Sequence, residues 1–178
     1  MKIYSKKGDT GKTDFCTGKR VPKNCLGIKA LGAIDELNSL IGLVLTKKPK
    51  QENVKILKKI QNDMHRISSE IIGLNKKGSK ITKKDTLLLE QKIDFLQKQI
   101  PKLNKFILPG GTEKGALLHY TRVICRKTER KLIDSENSNE TKISTELKAY
   151  INRLSDLLFV MARFENFKTG FEEKNPDY

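Results

Sequence analysis

Apolar residues recur with the period of an α-helix over most of this 178-residue chain. The clearest run has six apolar positions spaced alternately by three and four residues: Leu57, Ile60, Met64, Ile67, Ile71 and Leu74. This spacing puts one apolar seam along one side of a helix, as in helical bundles. The segment 75–79, Asn-Lys-Lys-Gly-Ser, then supplies a helix breaker, so the helix is predicted to end there.

Four further helices are predicted from the same period and from their boundary signals. Their ranges are roughly 28–47, 82–100, 112–134 and 144–166. Pro49 closes the first of them, and Pro101 stops the helix that precedes it, because proline cannot continue a helical hydrogen-bond ladder. Thr82 and Asp85 have the spacing of a capping box at the start of that helix.

The predicted fold class is all-α, a five-helix antiparallel bundle with a loop-rich N-terminal arm. We expect a single domain made of an arm over 1–27, a helical bundle over 28–166 and a C-terminal tail over 167–178. Short links between long helices favour antiparallel neighbours. Almost no strand pattern is visible, so a Rossmann or P-loop sheet is excluded at this stage.

The chain carries 36 Lys and Arg against 21 Asp and Glu, a formal net charge of +15. That balance suggests a polyanionic partner, either nucleic acid or a polyphosphate ligand. For the bulk of the charge, however, the scatter of the lysines along the chain favours solvated helix faces. Three cysteines without CxxC spacing and two histidines give no zinc site or disulfide framework. No apolar run suits a membrane span or a signal core, so a cytoplasmic protein that binds no membrane is expected.

The N-terminal arm contains a glycine-rich basic loop, Gly8-Asp-Thr-Gly-Lys-Thr13. Its two glycines are too close together for a P-loop, which needs four residues between its first glycine and the Gly-Lys pair. Exposed backbone N–H groups with nearby lysines still suit a phosphate chain. The alternative is an ordinary mobile basic terminus.

Three arginines, Arg122, Arg126 and Arg130, recur every four residues in the fourth predicted helix. They form a stripe that could clamp a polyphosphate bidentately or bridge to carboxylates on a partner helix. Solvated surface charge is the alternative, but arginine is rare in this lysine-rich chain. Asp35 lies amid an apolar stripe of the first helix, and an ion pair with one of the arginines is the favoured interpretation.

Residue patterns for acid–base, nucleophilic or di-metal catalysis are lacking. No Ser-His-Asp or Cys-His arrangement is suggested, and neither Glu-x-x-His nor His-x-x-Glu occurs. Any chemistry must therefore depend on positioning and electrostatics.

Four segments in order carry a family resemblance that spans nearly the whole chain. They are Tyr4-Ser-Lys-Lys-Gly-Asp-Thr-Gly-Lys-Thr13, Ala33-Ile-Asp-Glu-Leu-Asn-Ser-Leu-Ile-Gly42, Phe106-Ile-Leu-Pro-Gly-Gly-Thr112 continuing through Cys125-Arg-Lys-Thr-Glu-Arg130, and Tyr150-Ile-Asn-Arg-Leu-Ser-Asp-Leu-Leu-Phe-Val-Met-Ala-Arg163. Together they resemble the ATP:cob(I)alamin adenosyltransferases of the PduO type. Each segment alone is weak, whereas four in register with the right gaps are highly specific.

The resemblance implies a five-helix bundle that assembles as a homotrimer with active sites between subunits. It implies transfer of the 5′-deoxyadenosyl group of ATP to the cobalt of cob(I)alamin, with release of triphosphate. ATP, Mg²⁺ with the triphosphate, and cobalamin would be the ligands. A flavin-type reductase and a cobalamin-dependent client enzyme are further partners that such a reaction admits.

The resemblance also assigns roles to residues. ATP-binding residues of the arm would be Ser5, Lys6, Lys7, Gly8, Thr13, Asp14 and Lys23, and those of the helices Arg126, Lys127, Thr128, Glu129, Arg130 and Asn152. Arg126, Asn152 and Phe106 would act in catalysis, Phe106 by displacing the lower axial ligand of cobalamin. Arg122 and Asp35 would form an ion pair between subunits.

Two other functions are weighed against this one. A basic helical nucleic-acid-binding protein would use the positive charge directly, but aromatic residues are only 6% and no nucleic-acid motif is present. An inactive family member could carry cobalamin. The intact set of Arg126, Glu129, Arg130 and Asn152 argues against that second alternative.

Overall fold

A computed structural model describes residues 2–15, 18–74 and 80–177. Over these residues the chain forms five α-helices and one small antiparallel sheet, in the order β1(Lys12–Phe15), β2(Lys19–Pro22), α1(Leu26–Thr46), α2(Gln51–Ile71), α3(Lys83–Gln97), α4(Glu113–Asn137) and α5(Thr145–Phe167). The predicted five-helix architecture is confirmed. No helix in the described ranges is both long enough and apolar enough to cross a membrane.

Three helix ends differ from the prediction. Helix α3 ends at Gln97, because the residue before Pro101 is pushed away from helical geometry and the preceding turn tightens. Helix α2 ends at Ile71, which leaves Leu74 45% exposed. Helix α4 continues to Asn137 and is closed by Asn139 in the left-handed conformation (φ 59°). The predicted breaker at 75–79 lies outside the described residues.

The core is built from the apolar seams that the sequence predicts. Leu57, Ile60, Met64 and Ile67 of α2 are at most 1% exposed, and α5 contributes the largest buried face. Helix α5 packs between α3 and α4, while α1 packs between α2 and α4. Removal of these side chains from water is the main stabilising term of the bundle.

A partly buried charge network joins α2, α3 and α5 at the edge of this core. Asp63 is 2% exposed and accepts hydrogen bonds from Tyr150 (2.7 Å), Arg66 (2.8 Å) and Lys59. Arg66 also donates to Asp85 (2.9 Å). Burial alone would raise the pKa of Asp85, but hydrogen bonds from Arg66, Thr82 and Lys59 outweigh it and hold that pKa well below its usual range. The Asp85 carboxylate also accepts from the Thr82 amide and hydroxyl, as predicted for the cap.

Within the predicted loop-rich N-terminal arm, β1 and β2 form a β-hairpin, which the sequence pattern did not indicate. Strand β1 pairs with β2 so that Asp14 faces Arg20, and Phe15 is 8% exposed at the end of β1. The Phe15 ring lies against Gly27, where a Cβ would come within 2.7 Å of it. The Gly27 amide donates to Glu140 of the α4–α5 connection (2.7 Å). These contacts dock the arm onto the bundle.

The two ends of the bundle carry different segments. The arm end holds the start of α1 and the end of α4, joined through Gly27 and Glu140. The opposite end, called here the Phe106 end, holds the start of α4 and the end of α5, where the Thr112 amide donates to Asn166 (3.0 Å). Because α4 has 25 residues, these ends are separated by about 37 Å.

Candidate functional site

The predicted arginine stripe is present on the outer side of α4. Arg126 and Arg130 are exposed, and Arg122 is half-buried beneath them. The Arg122 guanidinium lies 5.9 Å from the centre of the Phe159 ring of α5, within the range of a cation–π contact. The stripe therefore presents two exposed guanidiniums, for which the described residues supply no ion-pair partner, and one guanidinium that packs against α5.

The polar residues beside the stripe belong to α5. Asn152 donates to Glu129 (3.2 Å), and Arg153 forms an ion pair with Asp156 (2.6 Å). Next to these residues, between α3, α4 and α5, lies a cleft of about 360 Å³. Its lining includes Arg122, Arg126 and Arg153. Arg153 is also paired with Glu90 (3.2 Å), so Arg122 and Arg126 are the guanidiniums that make this cleft attractive to an anion.

Arg122 and Asp35 do not pair with each other within one chain. Asp35 is exposed on α1, and none of the ion pairs found among the described residues joins it to Arg122. The Arg122 Nε atom is buried and has no hydrogen-bond partner among the described residues. Burial, and next the charge of Arg126, lowers the pKa of Arg122. A carboxylate from outside the chain would relieve both effects.

Lys127 and Thr128 face a different way from the stripe. Lys127 forms an ion pair with Glu36 of α1 (3.2 Å). The Thr128 hydroxyl is buried and lies within hydrogen-bond distance of the Ala33 carbonyl of α1 (3.1 Å). Both side chains therefore tie α4 to α1 and fix the rotation of the helix that presents the stripe.

The glycine-rich loop of the arm is closed by interactions that the sequence analysis did not identify. Arg20 donates to the Lys7 carbonyl (2.5 Å) and lies 3.6 Å from Asp14. The Lys23 amide donates to the Gly11 carbonyl (2.9 Å), and its ammonium lies against Gly8, 3.0 Å from where a Cβ would stand. The sequence gives one indication of this role: Arg20 is the single arginine in the lysine-rich segment 1–27.

The remaining arm residues lie in the same loop and hairpin. Ser5, Lys6 and Lys7 are exposed, and Lys6 has a positive φ of 60°. Thr13 lies in β1, half-buried, beside the exposed Asp14. The arm thus concentrates lysines and backbone donors on one exposed loop.

Phe106 lies at the opposite end of the bundle, 80% exposed in the connection between α3 and α4. One chain therefore does not bring its own arm and its own Phe106 together. A site that uses both segments must take them from two copies of the chain.

His119 is a buried residue for which no sequence motif indicates a role. It is 3% exposed, packs on Phe159 with ring centres 5.8 Å apart, and neither ring nitrogen has a hydrogen-bond partner in the described residues. Burial, followed by the charges of Arg122 and Arg163, lowers the pKa of His119 to about 4. The imidazole is neutral at physiological pH.

Comparisons with known proteins identify the family of the chain. A family model for cobalamin adenosyltransferase matches residues 3–165. A corrinoid adenosyltransferase of Bacillus subtilis is 38% identical over 96% of this chain and 89% of its own length, and a cobalamin adenosyltransferase of Cupriavidus metallidurans is 40% identical over 95% and 90%.

A solved structure extends the likeness to three dimensions. It is a variant PduO-type ATP:corrinoid adenosyltransferase from Lactobacillus reuteri, complexed with cobalamin and ATP. It superposes with a TM-score of 0.90 at 30% identity, covering 99% of this chain and all of that one. The chain belongs to the cobalamin adenosyltransferase family.

Proposed function

We propose that the protein transfers the 5′-deoxyadenosyl group of ATP to the cobalt of cob(I)alamin and releases triphosphate. Family membership supports this function, as does the likeness to a structure solved with both ligands. The single observation that carries it in this chain is the exposed stripe of Arg126 and Arg130 beside Asn152, a site built for a polyphosphate rather than for acid–base work.

The reaction makes modest chemical demands on the protein. Reduced cobalt is the nucleophile, so the cobalt–carbon bond forms as the bond from C5′ to the triphosphate oxygen breaks, without an external electron. Charge develops on the departing triphosphate, where preorganised guanidiniums stabilise it. Arg126 is assigned that role, and Asn152, held by Glu129, orients the nucleoside.

The arm residues are assigned to the ATP phosphates. Ser5, Thr13 and backbone groups around Gly8 supply donors, and Lys6, Lys7 and Lys23 supply positive charge. No cluster of three acidic, histidine or cysteine side chains suited to a metal occurs in residues 2–15, 18–74 and 80–177. Mg²⁺ would therefore be held chiefly by the triphosphate itself; Asp9 and Asp14 are the carboxylates of the arm.

A homotrimer is the proposed assembly. Asp35 and Arg122 are unpaired with each other inside one chain, and the arm and Phe106 lie at opposite ends of it. Tyr120 and Val123 of α4 are 55% and 47% exposed, and a contact between copies would cover such apolar side chains. An ion pair of Asp35 with Arg122 across that contact completes the site.

Phe106 is assigned to the lower face of the corrin ring. A large apolar side chain that is 80% exposed is costly unless it covers something. In this position it would exclude water and the lower axial base, leaving four-coordinate cobalt(II) that is easier to reduce. A flavin-type reductase would then supply the electron, and a cobalamin-dependent enzyme would accept the product.

Neither alternative function gains support. The similar proteins are adenosyltransferases, and none is named as a nucleic-acid binder.

The cytoplasm is the proposed compartment. In the described residues Cys25 and Cys125 are free thiols, which accords with a reducing environment.

The direct test is an absorbance assay for adenosylcobalamin formed from ATP and chemically reduced cobalamin. Conversion is expected when purified protein, MgATP and reduced cobalamin are mixed, without a reductase or a client enzyme. Labelled RNA measured at two salt concentrations serves as the competing ligand, because phosphate-tracking binding to RNA collapses as salt rises. No conversion, together with tight RNA binding, would replace this function by the nucleic-acid alternative.

A further inference from the structure

The C-terminal tail crosses back over the loop that carries Phe106. The Leu108 amide donates to the Lys174 carbonyl (2.8 Å), and the Asn175 side-chain amide donates to the Phe106 carbonyl (2.7 Å). These hydrogen bonds fix the main chain on both sides of Ile107. Residues 171–177 are called the strap below, and residues 98–112 the Phe106 loop.

A single buried side chain anchors both segments to the bundle. Arg163 of α5 is 6% exposed. Its Nε atom lies 2.9 and 3.1 Å from the two carboxylate oxygens of Glu173 in the strap, and its Nη2 atom donates to the Pro101 carbonyl at the start of the loop (3.1 Å). The planar guanidinium can hold both partners at once, which a lysine ammonium would not reproduce.

The far end of the Phe106 loop is also fixed. Asn166 donates to the Gly110 carbonyl (2.9 Å), and a Cβ at Gly111 would approach its side chain to 2.4 Å. Between the two ends, residues 101–106 are all exposed. Phe106 itself has too little packing to set its position, so its backbone must be held from outside the loop.

We propose that the strap positions Phe106, with Asn175 and the Arg163–Glu173 pair as positioning residues for the corrin-facing ring. The inference rests on the proposed function, since Phe106 matters there only if it meets cobalamin. To exclude the lower axial base, the Phe106 ring must stay at a fixed distance from the lower face of the corrin ring. Small displacements of a positioned group cost reaction rate. The strap would thus set how much cobalt(II) becomes four-coordinate.

Two substitutions release the strap with little change in side-chain volume. Asn175→Asp keeps the shape but replaces the neutral amide with a carboxylate, which cannot donate to the Phe106 carbonyl. Arg163→Lys keeps the charge but cannot bind both Glu173 and the loop. Glu172→Gln, a change at the neighbouring exposed carboxylate, is the matched control.

The first readout needs no ligand. Amide hydrogen exchange at Leu108 reports the hydrogen bond to Lys174, because opening of that bond exposes the amide to solvent. We expect exchange to quicken about tenfold or more in Asn175→Asp and Arg163→Lys and to match wild type in Glu172→Gln. Unchanged exchange in both strap variants would overturn the proposal.

The second readout is the electron paramagnetic resonance spectrum of cob(II)alamin bound with ATP. Both strap variants should lose most of the four-coordinate signal and lower kcat, with the KM for ATP within about twofold of wild type. When combined with Phe106→Ala, the two strap substitutions should cause no further loss of the four-coordinate signal or of kcat. An equal loss in the Phe106→Ala background would show that the strap acts elsewhere and overturn the proposal. If wild type forms no adenosylcobalamin, the proposed function fails, while the exchange measurement still decides whether the strap holds the loop.

Discussion

Truncation of Arg126 separates the catalytic account from a purely structural one. Arg126 is exposed, and none of the ion pairs among the described residues includes it. Arg126→Ala therefore strands no buried partner, and its free energy of unfolding should stay within about 0.5 kcal/mol of wild type. A large loss of activity in this variant cannot then come from unfolding.

The expected loss follows from the role of the guanidinium. Removal of one preorganised charged donor from a developing anion costs about 3 kcal/mol of transition-state stabilisation, or about 150-fold in rate. Arg126→Lys should recover part of that loss, because it restores the charge without the planar fork. Lys55→Ala, an exposed cation on α2, should react at the wild-type rate.

Single-turnover formation of adenosylcobalamin from chemically reduced cobalamin isolates the transfer step. Melting in urea, measured on the same preparations, checks the fold. A folded Arg126→Ala protein that reacts within about threefold of wild type would refute the assignment of Arg126 to the departing triphosphate.

Three further predictions concern the interface and the core. Asp35→Asn and Arg122→Ala should each weaken assembly or activity, and the double variant should lose less than their sum; strict additivity by sedimentation and rate would contradict a direct contact. Because the pKa of His119 is lowered in the folded protein, the unfolded chain binds a proton at a higher pH than the folded chain does. The free energy of unfolding should therefore fall as the pH drops from about 6.5 towards 4, by up to about 1.4 kcal/mol per pH unit. In urea unfolding, this pH dependence should disappear in His119→Asn and remain in His65→Asn, a change at an exposed histidine. An equal pH dependence in wild type and both variants would contradict the assignment to His119. Tyr150→Phe should cost about 1–3 kcal/mol in a urea melt, because it removes a donor to a buried carboxylate, and an unchanged midpoint would show that water replaces the hydroxyl.

The helices were predictable because burial imposes a period on the sequence. The α2 seam from Leu57 to Ile71 is buried throughout, and periodicity alone identifies such a face. Helix ends were less predictable, since local chemistry competes there: Leu74 continues the seam in sequence but lies beyond the last helical turn. The β-hairpin was missed because each strand has only four residues, mostly exposed, with little alternation to detect.

The candidate site was predictable to the level of residue type rather than orientation. The stripe and the family segments identified the helix that carries Arg126, but the spacing could not separate Arg126, which faces outward, from Thr128, which is buried against α1. The contacts of Arg163 with the strap join residues ten positions apart through a turn of the tail. No period or motif in the sequence encodes that contact.

The most direct test of the account is the product balance of one turnover with purified protein, ATP and chemically reduced cobalamin. Displacement at C5′ predicts one adenosylcobalamin and one intact triphosphate for each MgATP consumed, with no added base or reductase. ATP consumed without adenosylcobalamin, or cleaved to diphosphate and phosphate, would contradict the proposal that this chain positions C5′ for attack by cobalt.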